Sequence, residues 1–196
     1  MADVLTWQIT GRSAFSAVPD DWHARLVHYL GQRPRRLGLH TELALFGAFE
    51  ALAEAGERTL PPETLVRVCS LRGPVTAIGQ VLEQARSDLP MPFSFLQSQP
   101  SQMLAALAGA LQWQGDASFV LARDPLALLT LALRQAGQRG VLLGWVEEDG
   151  PGVSQWLRLV PCTAPELDFA PVTRLEELFE LQTGWLQHQA GGIALA

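Results

Sequence analysis

The sequence predicts an α/β fold, with a mixed, mostly parallel sheet of five strands carrying helices on its faces. Three observations point there. Short apolar or β-branched runs alternate along the chain with stretches whose apolar residues recur at helical spacing. The run Val141 to Val146 is continuously apolar, as expected of a strand covered on both faces. The Gly150-Pro151-Gly152 turn behind it is too short for a crossover, so the next strand, Trp156 to Val160, is its antiparallel neighbour.

The elements follow in order. Val4 to Thr10 reads as a strand ended by Gly11. Asp20 or Asp21 caps a helix running to Leu30 and closed by Gly31, and a basic connector with Arg33, Arg35 and Arg36 follows. From Thr41 a helix places Leu45, Phe46, Phe49 and Leu52 on one stripe and leaves Glu50 and Glu54 for solvent. Pro61-Pro62 breaks the chain before the strand Leu65 to Ser70. Pro74 opens a helix with Val75, Ile78, Leu82 and Ala85 at helical spacing. A loop from Met91 to Pro100 carries Phe93 and Phe95. The helix Ser101 to Gln112 is crowded with Ala105, Ala106, Ala108, Gly109 and Ala110, which suits burial on several sides. The strand Ala117 to Ala122 runs into a helix from Asp124-Pro125 to Ala136, ended by Gly137. A last helix is expected from Thr173, where Thr173 and Glu176 have capping-box spacing, through Leu175, Leu178, Phe179, Trp185 and Leu186 to Gly191-Gly192.

The 196 residues fit one domain, with 1–165 the α/β core and 166–196 a helical extension. Hydrophobic residues at 48% against 17% charged imply a large interior or a subunit interface. A net charge of −6 argues against nucleic acid as a partner, while the local arginines remain able to meet an anion. Cys69 and Cys162 stand far apart, and His23, His28, His40 and His188 are scattered, so no disulfide framework, metal site or cofactor is expected. No apolar run is long enough to span a bilayer and no leader is evident, so the expected location is cytoplasmic.

The strand, turn and helix around Asp124 form an arrangement in which several enzyme folds expose a nucleophile. Here the turn offers Arg123 and Asp124, and neither is a thioester nucleophile. Asp124 before Pro125 is also a good helix start. Cys69 lies on a strand without a histidine near it in sequence, which favours a buried structural thiol.

Several strings in sequence carry a family resemblance: Arg35-Arg36 followed by LGLHTELALFGAFEAL, Cys69-Ser70-Leu71-Arg72-Gly73, the Pro90 to Ser94 segment, and the Ala-rich helix Ser101 to Leu111. Over roughly residues 3 to 160 the chain resembles the N-terminal half of a β-ketoacyl synthase of the thiolase fold, and more closely the short ketosynthase-like proteins of aryl-polyene type clusters. The resemblance implies half of a thiolase-like fold, with the family's nucleophilic cysteine position falling on Asp124 and its catalytic histidines belonging to a second half. It therefore implies a non-catalytic subunit supporting polyketide or fatty-acyl chain assembly, paired with a catalytic ketosynthase, an acyl carrier protein or a second copy as homodimer or heterodimer. On this resemblance Arg35 and Arg36 would receive a carrier or its phosphate, Phe93, Phe95 and Ser98 would line an acyl cleft, and Ala105, Ala106, Gly109, Ala117, Phe119 and Leu121 would form the interface. A lone half must also cover the face that would pack on the second half, with its last helix or with a partner. Two alternatives stand beside this: an acyl-thioester enzyme of ketoacyl synthase or acyltransferase type using Cys69, Ser98 or Ser101, and an acyl-binding module gated by the loop from Met91 to Pro100.

Overall fold

Strand β1 (Thr6–Phe15) does not stop at Gly11. The register against its neighbour shifts between Ile9 and Gly11, a bulge that lets pairing continue to Phe15. Gly11 is needed for packing: a Cβ there would lie 2.0 Å from the Ala51 carbonyl oxygen. The computed structural model describes residues 5–89, 92–163, 168–180, 184–189 and 192–196. Val4, Pro90, Met91, the 165/166 boundary and Gly191 therefore lie outside the described residues.

Helices α1 (Trp22–Leu30) and α2 (Leu39–Glu54) come next, with Gly31 at φ 68° closing the first. Strand β2 (Leu65–Ser70) is buried throughout. Helix α3 (Val75–Arg86) follows Pro74, and Pro92–Gln97 is a short helix, α4, where a loop was expected. Proline is well suited to a first helical position, so Pro92 starts a turn that apolar spacing alone did not signal. Helix α5 (Pro100–Ala110), strand β3 (Ala117–Leu121), helix α6 (Pro125–Ala136), and strands β4 (Val141–Glu147) and β5 (Val153–Cys162) complete the expected core.

β2 pairs in parallel with both β3 and β4, while β5 is antiparallel to β4 and to β1. Strands β1 to β4 thus run one way and β5 the other, so the sheet is mixed as expected, but only the β2–β3 and β2–β4 pairings are parallel and the other five are antiparallel. The sheet nevertheless has eight strands, ordered β3-β2-β4-β5-β1-β7-β8-β6. The additions are β6 (Ala170–Pro171), β7 (Gly184–Gln189) and β8 (Gly192–Leu195).

The expected last helix is the main correction. Only α7 (Glu177–Glu180) is helical there, and Trp185 and Leu186 belong to β7. Thr173 does not cap a helix; its Oγ1 donates to Glu177 Oε1 at 2.7 Å, at the first residue of α7. The physical reason is tertiary: β1 offers a free edge, and a short segment gains more by completing that ladder than by forming a helix ended by glycines.

Two apolar layers cover the sheet. On one face Trp22, Leu26, Phe46, Leu52, Met103 and Leu107 pack from α1, α2 and α5 onto Val66, Val68, Leu142 and Trp156. Complete burial of side chains this large stabilises the fold by about 1.5–3 kcal/mol each. On the other face Leu128, Leu129, Ala132 and Leu133 of α6 pack onto Leu65, Cys69, Val141 and Leu157, joined by Leu175, Leu178, Leu186 and Ile193 from the C-terminal part. That face is covered within the chain by α6 and the C-terminal elements.

Three burial expectations change. Glu50 is not left to solvent, since its side chain is 12% exposed and ion-paired with Arg25. The stripe of α3 turns outward: Ile78 and Leu82 are exposed and only Ala77 is buried. α3 packs against α4, and periodicity says that a stripe exists without saying what it faces. α5 buries Met103 and Leu107 on one side, leaving Ala105 and Gly109 exposed.

Candidate functional site at the strand ends and the sheet edge

β2 and β3 end side by side, with Ser70 opposite Leu121. The turn after β2 is held by three successive carboxylates at the end of β4. Glu147 accepts from Ser70 Oγ at 3.0 Å and from the Leu71 N–H. Glu148 takes the Thr76 N–H in the first turn of α3, and Asp149 pairs with Arg72 at 2.8 Å. Ser70 Oγ in turn accepts from Gly73 N at 2.7 Å, so the turn's polar groups are satisfied.

The turn after β3 places Asp124 at the start of α6. Its Oδ1 accepts from Leu126 N at 2.9 Å, with Pro125 at the first helical position. The carboxylate is exposed and caps the helix. Cys69 shares a small apolar cavity with Pro125 and Leu128 beneath that helix, roofed by Leu175 and Phe179. It is 1% exposed. Burial, reinforced by the nearby Glu147 carboxylate, pushes its thiol up to about 12. Burial also raises the Cys162 thiol.

The serine candidates are engaged elsewhere or unsupported. Ser98 Oγ donates to the Phe95 carbonyl at 2.8 Å, and Ser101 is exposed in the first turn of α5. His23 meets Glu42, His188 accepts from Arg134, and His40 is buried with Nε2–H donating to the Val146 carbonyl at 3.3 Å. Among the described residues no histidine is hydrogen-bonded to a cysteine or serine. No group of metal-binding side chains occurs among the described residues either.

The structure separates the expected arginine pair. Arg36 has a left-handed backbone, φ 62°, so neighbouring side chains diverge. Its guanidinium lies 5.1 Å from the Phe93 ring centroid. It lines a cavity of about 190 Å³ with Thr41, Phe93, Leu96 and Gln102. Arg35 instead faces a larger groove of about 590 Å³, lined also by Arg33, Ala106 and Gly109. Phe93 and Arg36 are thus brought together, whereas Phe95, 52% exposed, and Ser98 do not line that cavity.

The interface candidates divide in the same way. Ala117, Phe119 and Leu121 lie on β3, the end strand of the sheet order, paired on one side by β2. Leu121 is 63% exposed. Ala106 and Gly109 belong to the groove, and exposed Ala105 lines neither feature. The sequence reading missed the outward apolar surface of α3, α4 and Leu89 behind α3, where Ile78, Leu82, Leu89, Phe93, Phe95 and Leu96 are all exposed. It also missed the carboxylate clamp on the β2 turn, whose only signal is the run Glu147-Glu148-Asp149.

No protein-family model matches the chain, and no curated protein does. Solved structures do. The ishigamide ketosynthase/chain length factor superposes with a TM-score of 0.59 at 14% identity, over 81% of this chain and 59% of that one. The ketosynthase ApeO in complex with its chain length factor ApeC from Xenorhabdus doucetiae gives 0.53 at 18% identity, over 86% and 81%. AntDE:AntF, a type II acyl-carrier protein in complex with its ketosynthase bound to the hexaketide, gives 0.57 at 9% identity, over 80% and 63%. The chain thus spans 59% of the first of these and 63% of the third. At such identities the likeness establishes architecture: the chain carries the thiolase-like fold of the ketosynthase/chain-length-factor proteins.

Proposed function

We propose that the protein is a non-catalytic ketosynthase-like subunit that supports polyketide or fatty-acyl chain assembly, of the aryl-polyene type, by pairing with a catalytic ketosynthase. The observation that carries this reading is the turn that opens α6, where the resemblance would put a nucleophile. Asp124 caps α6 there, and the nearby sulfur, Cys69, is buried with its thiol at about 12. A carboxylate in place of the thiolate would give a labile anhydride rather than a thioester, so condensation has no acyl acceptor.

The edge of β3 supports the pairing half of the proposal. It is five residues long, lacks charge and proline, and presents exposed Leu121. Natural edges that stay unpaired are shortened, charged or interrupted, as β6 is by Pro171. The proteins of similar fold support it too, since two are ketosynthase and chain-length-factor assemblies. In this reading Arg36, set over Phe93, receives the acyl carrier, and the protein acts in the cytoplasm. No described helix is long and apolar enough to cross a membrane.

The test is a two-part assay with the ketosynthase of the same organism. Light scattering should show a complex, and condensation should require it, while intact-mass spectrometry after acyl-thioester incubation should find no adduct on this chain. An acyl adduct lost in the Cys69→Ala or Ser98→Ala variant would refute the proposal in favour of the acyl-thioester enzyme.

A further inference from the structure

The groove beside α5 has a chemistry that pairing at β3 does not use. One wall is the connector after α1, contributing Arg33 and Arg35, and the other is the C-terminal half of α5, contributing Ala106, Gly109 and Ala110. Its floor is apolar, with Leu37, Leu45 and Phe49, and Tyr29 is stacked on Phe49 at 5.2 Å. No carboxylate lines it. The buried Arg67 and Arg158 are matched by Asp116 and Glu57, whereas Arg33 and Arg35 are exposed at the groove's rim. Among the described residues Arg33 and Arg35 have no such carboxylate, in a chain whose net charge is −6. Two forked donors at the rim of an apolar floor complement an anionic head with a hydrocarbon tail.

We propose that this groove binds a single-chain anionic amphiphile, with a carboxylate held by Arg33 and Arg35 and an alkyl chain lying over Leu37, Leu45 and Phe49. Its volume of about 590 Å³ lies in the range of small-molecule sites, roughly 300–1,000 Å³. The placement of charge favours one head group over an acidic helix. Both cations sit two residues apart on one wall, and α5 carries none, whereas an acidic helix would distribute its charges along the groove.

Gly109 makes the test clean. A Cβ there would meet nothing within 4 Å, so a side chain can be added on the groove's wall without a backbone clash at its root. The full chain is titrated calorimetrically with dodecanoate below its micellar concentration, with dodecanol and acetate as head-less and tail-less controls. Dodecanoate should bind saturably, at least tenfold more tightly than dodecanol, with no acetate binding. R33Q/R35Q should weaken it at least tenfold, and G109F should abolish it with an unchanged melting temperature. Absence of saturable binding, equal binding of dodecanol, or undiminished binding by G109F would overturn the proposal. So would binding of an acidic amphipathic peptide by a chain that ignores dodecanoate. The groove shares no residue with β3, so this result stands or falls separately from ketosynthase pairing.

Discussion

His40 meets Phe119 edge to face, with ring centroids 5.9 Å apart and planes at 80°. The contact joins the start of α2 to the edge strand β3, and burial there lowers the imidazole to about 4 although the Val146 carbonyl favours its protonated form. Below its unfolded value of 6.5 the unfolded chain binds a proton that the folded chain refuses. The stabilisation is therefore complete above that pH and drains away as pH falls toward about 4, by about 3 kcal/mol. Urea unfolding of wild type and His40→Asn between those limits should show a steeper loss for wild type, and parallel curves would contradict the assignment.

Leu121 is 63% exposed on the edge strand. Leu121→Lys places a charge on that edge and should leave the melting temperature within a few degrees while weakening ketosynthase binding at least tenfold. Sedimentation of the mixture reads both species; undiminished complex formation would move the interface elsewhere.

Asp124 caps α6 through Leu126 N. Asp124→Ala should cost about 1 kcal/mol of stability and leave the condensation rate of the assembled complex unchanged. A large rate loss at normal stability would give the carboxylate a chemical role.

Arg158 is 2% exposed and holds Glu57 through two bonds, Nε to Oε2 at 2.7 Å and Nη2 to Oε1 at 3.1 Å. Removing one partner of such a pair leaves a buried charge, so Glu57→Gln should destabilise by about 3 kcal/mol. Replacing both, as in E57Q/R158M, should recover part of that loss. If the double variant is the less stable of the two in denaturant melts, the desolvation argument fails here.

Gly47 lies where α2 crosses β5, and a Cβ there would come within 2.1 Å of Ser154 Oγ and 2.4 Å of Trp156 Cδ1. Gly47→Ala should therefore destabilise by about 1–3 kcal/mol despite its better helix propensity. Calorimetric melting checks the sign.

Local chemistry was legible where it acts within one element. The strand Leu65 to Ser70, the helix from Pro125 to Ala136, and the caps at Gly31 and Asp124 follow from residue types and their spacing, and the structure has them. The order of strands and helices similarly announced the mixed sheet. What spacing could not state is which surface another segment offers. The same Ile78 and Leu82 serve a core or a partner, and their exposure depends on α3 resting on α4. The arginine pair was readable, but its division between two cavities needed the left-handed turn at Arg36.

By itself, then, the sequence determined the fold class, the order of the core elements and the absence of a thiol before Pro125, because each depends on residue identity and near neighbours. Only the tertiary structure decided that residues 184–189 and 192–195 are strands and that β3 ends the sheet among the described residues. Those outcomes turn on long-range pairing and burial, which depend on what the rest of the chain places alongside.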